Sequence, residues 1–175
     1  MAHRRRVLLV IAPERFRDEE LAEPRRAFES AGHLVTVTST RPGQAMGMLG
    51  ARVAVERSIA LLDAAEFDAL MIAGGAGATE HLWSHEPLRA LVRAMHAAAK
   101  PIGAICLAPP VLARAGVLAG KRATTFPDPR AIIELKRGGA TCVDALVVLD
   151  GTIVTGNGPE AAAAFGAALV QLVSV

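Results

Sequence analysis

Lys100-Pro101-Ile102-Gly103-Ala104-Ile105-Cys106-Leu107-Ala108-Pro109-Pro110 is the stretch that decides the fold. Pro101 to Ile105 is a short, continuous apolar run, not an alternating one, which predicts a strand covered on both faces of its sheet. No linker follows. Cys106 comes next, and Pro109-Pro110 suit the first turn of a helix, where a missing amide hydrogen wastes nothing. That helix is expected to run to Gly116. A strand that passes so abruptly into a helix belongs to crossover units around a parallel sheet. A side chain at such a junction projects from the carboxyl edge, where open α/β folds hold their ligands. The positive end of the helix also favours a thiolate over a thiol, so Cys106 is a candidate nucleophile. A buried, inert cysteine is the plain alternative, a common fate of free Cys.

The alternation of short apolar runs and helical patterns extends outward in both directions. Val7 to Ile11 reads as a central strand, and a helix from about Asp18 to Ala31 closes at Gly32. A second strand follows from His33 to Ser39. Residues 41–50 hold three Gly and one Pro and are expected to form a loop, with a short hairpin strand over Ala51 to Val55. Ala69 to Ala73 is the next core strand, closed by Gly74-Gly75. Leu88, Leu91, Val92 and Met95 keep helical spacing within a helix over Glu86 to Lys100. Beyond the elbow come a short strand near Ala123, a helix over Pro129 to Arg137 and strands at Ala145 to Leu149 and Thr152 to Thr155. Asp150-Gly151 joins the last two as a tight hairpin, and a final helix starts at Pro159. No linker or repeat divides residues 1–175, so one α/β domain with a mainly parallel sheet is expected.

Composition narrows the functions. The 175 residues are 52% hydrophobic and 21% charged, enough material for a large core and too apolar for a disordered chain. Lys+Arg 19 against Asp+Glu 17 leaves a formal charge of +2. With Trp 1, Tyr 0 and Phe 5, the chain lacks the stacking platforms that single-strand and RNA readers use. A nucleic-acid partner is therefore not expected. The charge-free run Val7 to Pro13 is too short for a membrane span, and Cys106 and Cys142 cannot build a disulfide framework, so a cytoplasmic protein is expected. Cys142 sits in a polar connection and is expected to be inert.

Gly74-Gly75 ends a core strand, so its bare amides, with that of Leu107, are placed to hold a developing oxyanion at the same sheet edge. A simple turn is the alternative. His81 and His85 follow that loop and are the histidines within reach of the pocket, although a spacing of four on a short helix also describes ordinary surface. His3, His33 and His96 read as structural or solvated. No further ligands join His81 and His85, so no metal is expected, and nothing in the sequence calls for a cofactor.

Three segments in order, Phe16-Arg17-Asp18-Glu19-Glu20-Leu21-Ala22-Glu23-Pro24, Glu66-Phe67-Asp68-Ala69-Leu70 leading to Gly74-Gly75, and Lys100 to Cys106, resemble the ThiJ/PfpI family. Gly116-Val117-Leu118, Val143-Asp144-Ala145 and Asp150-Gly151 extend the resemblance over nearly the whole chain. The family shares a flavodoxin-like three-layer sandwich related to class I glutamine amidotransferases. It includes intracellular peptidases, glyoxalases that act without glutathione, the parkinsonism-associated deglycase and stress proteins. The resemblance implies Cys106 as nucleophile, Glu20 as its acidic partner, and self-association as a homodimer or higher. By itself Glu20 is one of several carboxylates at a helix start, where they suit the dipole. Two adjacent acidic groups are expected to share one proton, with a thiolate accepting a hydrogen bond from a protonated Glu20.

The sequence also departs from the family. Leu107 stands where peptidase members carry His, so little peptidase activity is expected. Phe126, in Thr124-Thr125-Phe126-Pro127, takes the place of the deglycase's histidine. Ala108 replaces a usual Gly, and Asn157 stands where Arg is frequent. The activity favoured by the resemblance is that of a Cys106/Glu20 dyad acting on small α-oxoaldehydes such as methylglyoxal. The rival is a redox-sensing or chaperone-like stress protein whose cysteine cycles without turnover.

Overall fold

The computed structural model describes residues 3–175; the expected domain over 1–175 extends two residues beyond that range. The chain opens with β1 (Arg6–Val10), buried over its last four residues as its apolar run requires. There follow β2 (Glu14–Phe16), α1 (Asp18–Ser30), β3 (Leu34–Thr38), β4 (Gly43–Gly47) and β5 (Arg52–Val55). Next come β6 (Ala69–Ile72), α2 (Ala76–His81), α3 (Glu86–Ala97), β7 (Ile102–Ile105) and α4 (Pro109–Ala115). The last third holds β8 (Arg122–Ala123), α5 (Pro129–Arg137), β9 (Thr141–Cys142), β10 (Val147–Asp150), β11 (Ile153–Gly156) and α6 (Ala162–Val173).

The main sheet has six strands in the order β10-β11-β7-β6-β1-β3. All its neighbours are parallel except β10 and β11, the hairpin turned by Asp150-Gly151. Helices α1 and α6 pack on each other and against one face of the sheet, while α3 and α4 cover β6 and β7. This is the flavodoxin-like layering that the alternation and the family resemblance implied. The chain leaves β1 toward β3 on one side and returns to β6 on the other, so the strand order reverses between β1 and β6. Ligands of open α/β sheets sit outside the carboxyl ends of strands at such a point.

Residues 41–50 are not the loop expected of them. Gly43–Gly47 forms β4, the middle strand of a small sheet in the order β2-β4-β5. Gly and Pro masked the strand because it is held by pairing on both sides and not by burial: of its residues only Ala45 is buried. The tip beyond it is tied to the front of α1. The Met48 amide donates to the Phe16 carbonyl at 2.8 Å, and the Leu49 amide donates to Asp18 Oδ2 at 2.6 Å. The small sheet thereby braces the turn that leads from β2 into Glu20.

At the opposite edge of the main sheet, His33 is buried rather than solvated. Its Nδ1 accepts the Arg5 amide at 3.3 Å, and its Nε2 lies 3.3 Å from Ser174 Oγ, joining the first strand to the end of α6. Burial, then the charge of Arg5, hold its pKa below the ordinary 6.5. The unfolded state therefore binds the proton more readily, and this histidine contributes stability above pH 6.5 that is lost as pH falls through its folded value. His33→Gln is expected to lose less melting temperature than wild type between pH 7.5 and pH 5.5. Equal losses in differential scanning fluorimetry would contradict it.

Candidate active site

Cys106 follows β7 at the carboxyl edge and is 5% exposed. Its φ of 63° is left-handed, a conformation that costs a residue with a Cβ roughly 1–2 kcal/mol. Hydrogen bonds hold it there. The Cys106 amide donates to the Gly156 carbonyl at 2.9 Å, and the Cys106 carbonyl accepts from Thr125 Oγ1 at 2.7 Å and the Phe126 amide at 2.9 Å. The Ala108 amide then turns back onto the Ile105 carbonyl at 2.9 Å, and α4 starts on Pro109-Pro110 as anticipated.

Glu20 reaches the same point from α1 and is fully buried. Its Oε2 accepts the Gly74 amide at 2.8 Å, and its buried Oε1 has no hydrogen-bond partner. Gly74 must lack a side chain: a Cβ would stand 2.6 Å from the Cys106 Cβ and 2.8 Å from Glu20 Oε2. Gly75 has a φ of 105°, and its amide, with that of Leu107, is directed at the Cys106 thiol. The structure thus brings Cys106, Glu20, Gly74, Gly75 and Leu107 together.

Burial is the largest force on the Glu20 carboxyl. It pushes the pKa up to about 7 despite the Gly74 amide, the thiol and the Arg17 charge, which all pull it down. Burial also pushes the Cys106 thiol up, and an ionised Glu20 adds to that push, while the Gly75 and Leu107 amides draw it down. The lowered thiol pKa expected from the sequence is therefore not what this pocket imposes while Glu20 is charged. Protonating Glu20 removes the repulsion and converts it from an acceptor into a donor toward sulfur. Glu20 gains and loses its proton around pH 7, and the titration belongs to both groups.

His81 and His85 are not drawn into this cluster. His81 Nε2 lies 3.1 Å from Glu14 Oε1 and 3.8 Å from Glu80 Oε2, an ion-pair group with Arg15 that is largely exposed. His85 sits at the N-terminal boundary of α3, its pKa lowered by burial and its Nε2 without a partner. Neither is among the groups that act most strongly on Cys106 or Glu20. Leu107 and Asn157 are half-buried, and Phe126 is 40% exposed beside Gly158. Cys142 is half-buried, with burial raising its pKa. No group of three or more His, Cys, Asp or Glu able to hold a metal occurs among the described residues. Among those residues no helix is long and apolar enough to cross a membrane.

Sequence reading missed two supports of the elbow. Thr125 holds the Cys106 carbonyl. Trp83 Nε1 donates to the Leu107 carbonyl at 2.6 Å, and the Arg114 guanidinium lies 5.3 Å from the Trp83 ring centroid. Both approach from segments distant along the chain, and neither carries a local motif.

The sheet order, the helical layers and the elbow describe a flavodoxin-like α/β protein with a cysteine at the end of a central strand. The profile of the DJ-1/PfpI family matches residues 5–172, and the chain belongs to that family. An uncharacterised protein of Methanocaldococcus jannaschii is 46% identical over 168 residues, 96% of this chain and 82% of that protein. A deglycase of Pyrococcus abyssi is 34% identical over 152 residues, 87% of this chain and 90% of its own length. The crystal structure of a ThiJ/PfpI domain protein from Brachyspira murdochii is similar with a TM-score of 0.91 at 31% identity, covering 96% of this chain and 95% of that one.

Proposed function

We propose that this chain converts small α-oxoaldehydes such as methylglyoxal to 2-hydroxy acids, with Cys106 as nucleophile and Glu20 as proton carrier. The observation that carries this reading is the fully buried Glu20 set against a cysteine in the left-handed conformation, with two backbone amides directed at the sulfur. The deglycase name of the Pyrococcus abyssi relative supports chemistry on reactive carbonyl compounds.

The reactive form has the thiolate at Cys106 and the proton on Glu20. Sulfur bonds to the aldehyde carbon as Glu20 gives its proton to the aldehyde oxygen, forming a hemithioacetal. The Glu20 carboxylate then takes the hydrogen from that carbon as a proton and returns one to the neighbouring carbonyl carbon, while the hydroxyl proton of the hemithioacetal passes to the neighbouring oxygen. The aldehyde carbon is oxidised and its neighbour reduced within one molecule, so no external oxidant is needed, and a thioester results. Water cleaves the thioester, releasing the hydroxy acid and the free thiol. The Gly75 and Leu107 amides suit the developing oxyanion, a role in which one donor is typically worth roughly 10²–10³-fold.

Cys106→Ser is expected to abolish methylglyoxal consumption, followed as lactate formed, while leaving the melting temperature within a few degrees of wild type. Equal lactate formation by both proteins would overturn the assignment of the nucleophile. A wild type that consumes no methylglyoxal while mild peroxide oxidises Cys106 reversibly would favour the redox-sensing reading.

A further inference from the structure

Cys106 contributes its carbonyl and Leu107 its amide to one planar peptide unit, in which the C=O and N–H vectors point in opposite directions. The position of the Cys106 oxygen therefore dictates where the Leu107 hydrogen points. Two donors fix that oxygen: the Phe126 amide at 2.9 Å and the Thr125 hydroxyl at 2.7 Å. Both come from the segment after β8, which is itself clamped. The Thr124 amide donates to Thr155 Oγ1 at 3.0 Å, and Thr124 Oγ1 donates to the Ala145 carbonyl at 2.9 Å. Thr124 and Thr125 are both buried, so water offers the Cys106 oxygen no ready substitute.

We propose that Thr125 is a positioning residue for the nucleophile, its hydroxyl orienting the Cys106–Leu107 peptide so that the Leu107 amide meets the charge that develops at the sulfur and on the bound carbonyl. Two effects follow from the one bond. It holds the plane of the peptide against the strain of the left-handed Cys106. It also polarises the peptide, because an amide whose oxygen accepts strong bonds is a better donor at its nitrogen. Thr125 touches neither substrate nor sulfur in this role and acts through the peptide alone. The inference rests on Cys106 being the nucleophile, and its test does not require the substrate to be known.

The experiment compares Thr125→Val, Thr125→Ala and Thr125→Ser with wild type. The rate of Cys106 alkylation by iodoacetamide is measured against pH, with peptide mapping to assign the site. Val and Ala, which remove the hydroxyl, are expected to move the midpoint of the profile up by about one pH unit, roughly tenfold slower alkylation at a pH below it. Ser, which keeps the hydroxyl, is expected to restore the wild-type midpoint. Where methylglyoxal is turned over, kcat should fall roughly tenfold or more in Val and Ala with KM little changed, since the interaction strengthens in the transition state. If Val proves too unstable to purify, the Ala and Ser pair carries the same comparison. A midpoint unmoved in Val or Ala, or one that Ser fails to restore, overturns the proposal even if melting temperatures fall. Absence of methylglyoxal turnover in wild type would sink the proposed reaction while leaving the alkylation comparison decisive.

Discussion

Glu20→Gln is expected to produce a protein that is more stable and nearly inactive. Wild type keeps Glu20 fully buried, with a pKa raised from 4.5 to about 7, largely by desolvation. A folded-state pKa above the unfolded one means that the native state binds the extra proton. The stabilisation is complete below pH 4.5 and is lost as pH rises through about 7. At pH 8 the charged carboxylate is a burden of about 3 kcal/mol. Glutamine keeps an oxygen for the Gly74 amide and carries no charge, so the variant should gain on the order of 2–3 kcal/mol at pH 8. The advantage should shrink as pH approaches 4.5. In the proposed reaction, where Glu20 carries the proton, kcat should fall roughly 10²–10⁴-fold. Urea unfolding at several pH values and lactate formation are the measurements. A variant no more stable than wild type at pH 8 would contradict the buried-charge account.

Gly75→Ala should be the most damaging exchange of one hydrogen for a methyl at the site. At a φ of 105° an L side chain is strained, and a Cβ there would meet the Arg17 nitrogen at 2.5 Å, the Arg15 oxygen at 2.6 Å and the Phe16 carbonyl carbon at 2.8 Å. All three are backbone atoms, so no side chain can swing aside. Strain and overpacking together should cost roughly 3–5 kcal/mol, about 10 °C in melting temperature for a domain of this size. Gly32→Ala is the matched control. Its φ of 83° is also left-handed, yet a Cβ there has nothing within 4 Å, so only the conformational cost of about 1 kcal/mol applies. Equal losses in the two variants would show that close packing against the β2–α1 turn plays no part. A folded Gly75→Ala should still react sluggishly at Cys106, because the shifted loop takes an amide away from the sulfur.

Much of the fold was legible because its signals are local. Val7 to Ile11, Ala69 to Ala73 and Pro101 to Ile105 are apolar over consecutive residues, and the structure buries them as β1, β6 and β7. Cys106 was legible for the same reason, since a strand, a cysteine and two prolines adjoin one another. Gly43–Gly47 was not, because its strand exists only through partners on both sides. Glu20 was beyond local reading: its hydrogen bond is to Gly74, 54 positions away, and composition marks it as one acid among three at the start of α1. The direction of the force on the thiol was misjudged because helix ends are visible in a sequence and depth of burial is not.

Trp83 has one more consequence. The chain holds Trp 1 and Tyr 0, so its near-ultraviolet emission comes from a single indole, and that indole is 5% exposed and bonded to the carbonyl of Leu107, the residue after Cys106. The molecule thus carries its own optical gauge of the elbow. Any ligand or oxidant that shifts the Leu107 carbonyl changes the environment of the one fluorophore, so occupancy can be followed in unlabelled wild-type protein, in real time and without a coupled assay.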